Sequence, residues 1–267
     1  MLGPKRMTRG RFAGLIAAAL ASCPATAADL TARQVTEQLF HASAEAPIDV
    51  SGKDLSFLDL AGVDFKRASL ARTNLYGADL SRAKLANSDL ASARLDRTSI
   101  ARADFSGANL KGASFLLATA HLTTEPNPAD APIFRGADLS GATLAARLDG
   151  ADFSGANLSG ATVSQLVATW GSYRPRAVFN AANFSGATMR GTNLSRAVLQ
   201  FTNFTGADLS NANLTACDLT KANLTGANLS GADITDADFD GATLTGVTGL
   251  DQTVGLGKAK NIDKAIR

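Results

Sequence analysis

Catalysis and metal binding need groups that can attack, ligate or ionise, and this chain is poor in them. Its 267 residues include two histidines, His41 and His121, and two cysteines, Cys23 and Cys217. A Ser-His or Cys-His pair, or a zinc site, has almost nothing to draw on. Cys217 stands at a small-residue position of a regular pattern, which reads as an inert core thiol. Asp236, Asp238 and Asp240 alternate along one stretch, so their side chains diverge instead of converging on a cation. Gly255 and Gly257 precede Lys258, but Gln252 stands where a phosphate loop needs a glycine, and no Ser or Thr follows the lysine. The expectation is therefore no catalytic residue, no metal site and no cofactor. Recognition chemistry is better represented. Trp170, the only tryptophan, stands close to Tyr173, Arg174 and Arg176, a grouping suited to a carboxylate, a sugar or a partner protein. Arg82 and Arg102 lie twenty residues apart, with Arg94 and Arg97 between them; they are a second candidate patch, facing a solvated surface as the plainer alternative.

These residues are held in a pattern with its own period. From 179 to 244 a large apolar residue recurs every five positions, from Phe179, Phe184 and Met189 through Leu219 to Phe239 and Leu244. Two residues before each stands a small one: Ala, or Thr192, Thr202 and Cys217. The residue immediately before is usually Asn, Asp or Thr. A period of five matches neither a helix face nor a strand, and it signals a repeat architecture. The same period runs from Leu55 to Phe115, and again from Phe134 to Val163 with a one-residue slip at Leu148.

Units such as Ala78-Asp79-Leu80, Ala108-Asn109-Leu110 and Ala207-Asp208-Leu209 resemble the pentapeptide-repeat family. The resemblance implies an all-β fold, a right-handed quadrilateral β-helix in which four pentapeptides form one coil. Each residue then lies over its counterpart twenty positions earlier, giving about eight to nine coils at about 4.8 Å spacing. Counting by twenty places Phe65, Leu85 and Phe105 on one side, and Phe184, Phe204, Leu224 and Leu244 on another. Asn183, Asn203 and Asn223 should form a ladder.

Two segments break the period, 116–133 with Pro126, Pro128 and Pro132, and 164–178 with Trp170. With the coil phase kept across them, they leave from neighbouring corners about two coils apart. Function tends to sit on loops shown by a rigid scaffold; the alternative is that they cover apolar surface. Residues 28–50 read as a capping helix and linker: Thr31 and Gln34 have capping-box spacing, Leu30 and Val35 suit a staple, and Val35, Leu39 and Phe40 form an apolar stripe. Residues 51–249 are the repeat, and 250–267 a C-terminal cap in which Leu256, Ala259, Ile262 and Ile266 suit a short helix or turn. A homodimer through that end is the alternative role. Residues 1–27 read as a signal peptide, cut before Ala28. Leu20-Ala21-Ser22-Cys23 offers a second reading, a lipoprotein anchored at Cys23.

The formal charge of +2 includes Lys5, Arg6, Arg9 and Arg11 of the leader; without them 22 basic residues face 24 acidic ones. Near neutrality argues against a nucleic-acid partner and against an acidic nucleic-acid mimic. The expected function is a non-enzymatic, protein-interacting scaffold of the cell envelope, periplasmic or secreted. A DNA-mimicking topoisomerase-interacting protein and a periplasmic carbohydrate-binding protein using the Trp170 segment are the alternatives.

Overall fold

The computed structural model describes residues 28–43, 45–120, 127–163 and 176–267. The leader with Cys23, His121, Trp170, Tyr173 and Arg174 lie outside the described residues.

One pentapeptide shows why the sequence folds as it does. In Asp79-Leu80-Ser81-Arg82-Ala83, Leu80 and Ala83 point inward and are fully buried. Every backbone N–H of the unit finds an acceptor. Asp79 donates to the Leu58 carbonyl of the preceding coil, while Leu80 and Arg82 donate to Ser99 and Ala101 of the next. Ala83 donates to the Leu80 carbonyl and closes the corner. The Ser81 N–H has no backbone acceptor, and the Asp79 carboxylate takes it at 2.8 Å. This Asx turn is the physical reason for Asp or Asn before the large residue, since a buried orphan N–H is costly.

Parallel bridges twenty residues apart stack these units into a four-sided β-helix. The first side runs over rungs from Asp49 to Thr248, the second from Asp54 to Val254, the third from Asp59 to Lys260 and the fourth from Asp64 to Ile266. Each side contributes a single bridged residue per coil, so the sheet is made of isolated rungs and not extended strands. Every side carries ten rungs among the described residues. The expectation of eight to nine coils is therefore corrected to ten, a rod of about 43 Å at about 4.8 Å per step.

The ladder assignment needs correction too. Phe65, Leu85 and Phe105 share the fourth side with Phe184, Phe204, Leu224 and Leu244: their preceding residues form one continuous column of bridges from Asp64 to Thr243. Counting by twenty failed because the bridge steps across the two breaks and the slip are 29, 19 and 31 residues on that side, Asp104 to Ile133, Ile133 to Asp152 and Asp152 to Asn183. Phe105, Phe134, Phe153, Phe184 and Phe204 consequently stack face to face, with centroids 4.9, 4.6, 4.9 and 5.1 Å apart. On the outside of the same side, the Asn203 amide donates to Asn183 at 3.0 Å and Asn183 to Asp152 at 3.1 Å, with Asn223 on the next rung. At some rungs Asn follows Asp down a column, as in Asp89–Asn109 and Asp208–Asn228, which avoids stacking two carboxylates there, although Asp59–Asp79 and Asp218–Asp238 do stack.

At the inner small positions most hydroxyls reach a carbonyl. Thr98 and Thr202 each donate to the carbonyl three residues back, at 2.6 Å. Ser88 Oγ is buried with no hydrogen-bond partner. Ser88→Ala should therefore stabilise the fold by about 1 kcal/mol, read as a shift of the denaturant midpoint at unchanged slope.

The first coil is closed by α1 (Ala32–His41). Its capping box is formed, Thr31 accepting from the Gln34 N–H and Gln34 from the Thr31 N–H. Val35 and Leu39 are buried, but Phe40 is 80% exposed and only its edge meets His41; the expected three-residue stripe is two residues wide. Lys66 caps the helix exit, its Nζ donating to the carbonyls of Leu39 and Ala42. At the other end, of the expected short helix or turn, it is turns that form, with no α-helix. The rungs Thr248, Val254, Lys260 and Ile266 are six residues apart, separated by 3-10 turns at Leu250–Gln252, Leu256–Lys258 and Ile262–Lys264. Gly249, Gly255 and Asn261 adopt positive φ before each turn, and Leu250, Leu256 and Ile262 then pack under the core. The tail is a tenth coil of hexapeptides that closes the rod.

Candidate functional site

The four sides differ in what their corners display. A corner needs positive φ, which glycine adopts freely and other L-residues adopt at a cost of about 1–2 kcal/mol. Of the seventeen positive-φ corner glycines from Gly52 to Gly246, thirteen flank the first side and four the corners of the third. Around the third side the same conformation is carried by Phe57, Arg97, Leu117 and Arg196 on one corner and by Arg82, Arg102, Phe201 and Lys221 on the other. Phe57 and Phe201 are 71% and 55% exposed. They bear backbone strain and exposed apolar surface together, which the fold itself does not need. Phe201→Gly should leave the rod as stable or stabilise it by about 1 kcal/mol, measured by thermal melting.

Both breaks in the ladder border this third side. One lies between Thr119 and Ile133, where the chain passes from the third side to the fourth, and the other between Thr162 and Val178, where it passes from the second to the third. The expectation of neighbouring corners two coils apart agrees with the rung order.

Between the two breaks the outer surface departs from the repeat. Val178 and Val198 occupy successive rungs where Asp or Asn normally forms the Asx turn. The N–H groups they leave unserved are taken from the coil before: Asp149 Oδ1 accepts the Asn180 N–H at 3.1 Å, and Asn180 Oδ1 accepts the Gln200 N–H at 3.2 Å. Gln200 continues to Asp218 at 2.6 Å. A four-residue polar chain thus supports two half-buried valines facing outward. Arg147 sits on the rung next to Val178, its Nε on the buried Asp149 at 2.6 Å. Arg176 lies at the opposite corner, its Nε on the Arg196 carbonyl at 2.5 Å. A groove of about 330 Å³ opens between Pro128, Gly150 and Ala181, with Arg147, Asp149 and Asn180 along its wall. Gly150 keeps it open, because a Cβ there would meet Ala131 at 3.5 Å and Pro128 at 3.7 Å.

The candidate residues fall into two groups. Arg82 and Arg102 share the corner between third and fourth sides, and Arg82 is exposed. Arg102 is also exposed but is tied to the scaffold: its backbone N–H donates to the Asp130 carbonyl at 2.7 Å and its guanidinium holds the buried Asp130 carboxylate, at 2.8 Å through Nε. It anchors the end of the first excursion. Arg94 stacks on Tyr76 at 4.4 Å and binds the buried Asp96 at 2.8 Å. Asp96, Asp130 and Asp149 are the buried carboxylates among the described residues, and each lies under an arginine on this flank. Burial, first of all, pushes the Cys217 thiol up to about 12, so it is neither nucleophile nor ligand. Burial also acts to raise Asp218, but hydrogen bonds from Thr220 and Gln200, with the Arg176 charge, hold its carboxyl below the usual value. Asp238 is taken up by the Asp240 N–H and the Asn261 amide, and no metal-holding cluster occurs among the described residues. The Val178–Val198 pair escaped the sequence reading because valine resembles core; its signal was an apolar residue one place before the large one.

Fold and surface together define a closed β-solenoid whose distinctive side chains are gathered on one of four sides. The chain belongs to the pentapeptide-repeat family: the model of pentapeptide repeats matches eight copies over residues 54–87, 78–115, 133–165, 176–211 and 207–246, and the family fold is the right-handed quadrilateral β-helix. No curated protein matches it. Among solved structures it is similar to HetL, a pentapeptide repeat protein involved in heterocyst differentiation regulation in the cyanobacterium Nostoc sp. strain PCC 7120, at 23% identity over 86% of this chain and 94% of that one, TM-score 0.36. It is also similar to QnrB1, a plasmid-mediated fluoroquinolone resistance protein, at 17% identity over 76% of this chain and 84% of that one, TM-score 0.35. Rfr23 of the cyanobacterium Cyanothece shows 29% identity over 45% of this chain and 90% of its own, TM-score 0.26.

Proposed function

We propose that the protein is a non-enzymatic scaffold of the cell envelope that docks a partner protein on its third side. The observation that carries this reading is the concentration of strained, exposed and off-pattern side chains there, while the first side keeps mostly glycine corners and mostly Asp/Asn rungs. Interfaces favour arginine, aromatic and aliphatic anchors at their centre. Export rests on the leader, with cleavage before Ala28 or lipidation at Cys23 as the two routes. Among the described residues no helix is long and apolar enough to cross a membrane.

Val178→Asn with Val198→Asn restores the repeat's own residue at both rungs, so the variant keeps the fold. In pull-downs from the envelope fraction it should lose the protein that the wild type captures, with an unchanged melting profile. Equal capture by both would overturn the docking reading, and a purely cytoplasmic pool on fractionation would overturn the location.

A further inference from the structure

Granting that the third side is the docking surface, we infer that its partner presents an extended acidic segment with aliphatic side chains, anchored by carboxylates on Arg147 and Arg176 and by an aliphatic residue on Val178 and Val198. The argument begins with the distribution of charge in depth. On this flank the carboxylates of Asp96, Asp130 and Asp149 are buried, whereas Arg147 keeps about half of its side chain exposed, at 52%, and Arg176 and Arg196 are exposed. Around the valines an approaching partner meets the exposed guanidiniums of Arg147, Arg176 and Arg196 against one half-buried carboxylate, Asp218 on the rung next to Val198, although the chain as a whole is near neutral.

Two of these arginines are held in place before any partner arrives. Arg147 spends its Nε on Asp149 and Arg176 spends its Nε on the Arg196 carbonyl. Among the described residues the Nη donors of both are left for an outside acceptor, in the planar fork that matches a carboxylate. Holding the side chain in advance removes ordering entropy from the cost of binding. Between the two guanidiniums lie the valines, on rungs about 4.8 Å apart. An extended chain sends every second side chain to the same face, so acidic residues at i and i+4 can reach the arginines while an aliphatic residue at i+2 meets the valines.

The probe is a fluorescein-labelled peptide with Glu, Val, Glu and Leu at every second position and Ser between them, which places acidic and aliphatic side chains on one face, followed by fluorescence anisotropy on the full chain. Binding should weaken about tenfold in Arg147→Gln and in Arg176→Gln, in keeping with loss of one charge-assisted contact of about 1.4 kcal/mol. It should fall with salt, as a partly exposed ionic contact must. The same peptide with Lys for Glu should not bind. Arg176 is hydrogen-bonded to a backbone carbonyl and not to Asp149, so Arg176→Gln remains informative should Arg147→Gln disturb Asp149. Absence of binding to the Glu peptide, wild-type affinity in both glutamine variants, or equal binding of the Lys peptide would overturn the inference. So would a single-stranded DNA oligonucleotide that binds as well as the Glu peptide, since the arginines would then be reading phosphate. Loss of partner capture by the Val178→Asn, Val198→Asn variant together with a silent Glu peptide would sink the acidic segment and leave the docking surface standing; undiminished capture by that variant sinks both.

Discussion

Phe134→Ala should cost the rod about 3–5 kcal/mol, the range for emptying a buried phenylalanine site. The ring is fully buried and lies parallel to Phe105 and Phe153 at 4.9 and 4.6 Å, with the edge of Phe115 at 5.8 Å. Neighbouring rings cannot close the gap, because each is fixed by its own rung. Position adds to the cost. Phe134 is the first core residue after the excursion, and Ile133 beside it pairs with Asp104 and Asp152. The ring therefore sets the register in which the chain rejoins the stack. Hydrogen exchange should quicken at the rungs around Ile133 before it does at either end, since each coil of a solenoid is held only by its neighbours. Uniform destabilisation along the rod, or a loss below about 1.5 kcal/mol by denaturant titration, would show that the stack is replaceable. Phe201→Gly is the contrast: same residue type, opposite expectation, because that ring faces water.

Gly255→Ala should release the terminal coil. The residue has φ 79°, and an added Cβ would lie 2.7 Å from the Thr235 Cα and 2.8 Å from its backbone nitrogen. Backbone atoms cannot turn aside as a flexible side chain can. Steric overpacking and the left-handed conformation together come to about 2–4 kcal/mol, enough to favour detachment over accommodation. Gly249 stands in the same relation to Ser230, with Cα 2.6 Å away. Fast amide exchange confined to 248–267, with the coils above still protected, is the expected signature. Ile234, Phe239 and Leu244 would then be uncovered, so a tendency to self-associate should accompany it. A variant that keeps its terminal protection would mean that the hexapeptide coil is not what seals the end.

Both results depend on features that differ in how openly the residues declare them. The pentapeptide period was legible in full, because one large inward residue, one small one and one Asx-turn former recur wherever a side and a corner are built, as in Asp79 to Ala83. The N-terminal helix was legible for the same reason: Thr31 and Gln34 satisfy each other locally. Long-range register was not. The Phe105–Phe134–Phe153–Phe184–Phe204 stack could be assembled only once the excursions and the missing corner residue at Leu148 were seen to return to the same side. The closing coil was also hidden, since a period of six built on Gly249, Gly255 and Asn261 resembles the decay of a period of five.

The candidate surface divides in the same way. Arg82, Arg102 and Arg176 were visible as charges, yet only contacts between coils showed Arg102 bound to Asp130 and Arg176 held by Arg196. Val178 and Val198 read as ordinary apolar residues until the stack placed them outside. Sequence by itself determined the repeating unit, its turn chemistry and the membership of the family, because these rest on interactions within five residues. Tertiary structure alone decided which corner faces which, and so which side is distinctive, because that depends on how many residues each excursion adds before the next rung pairs with the one above.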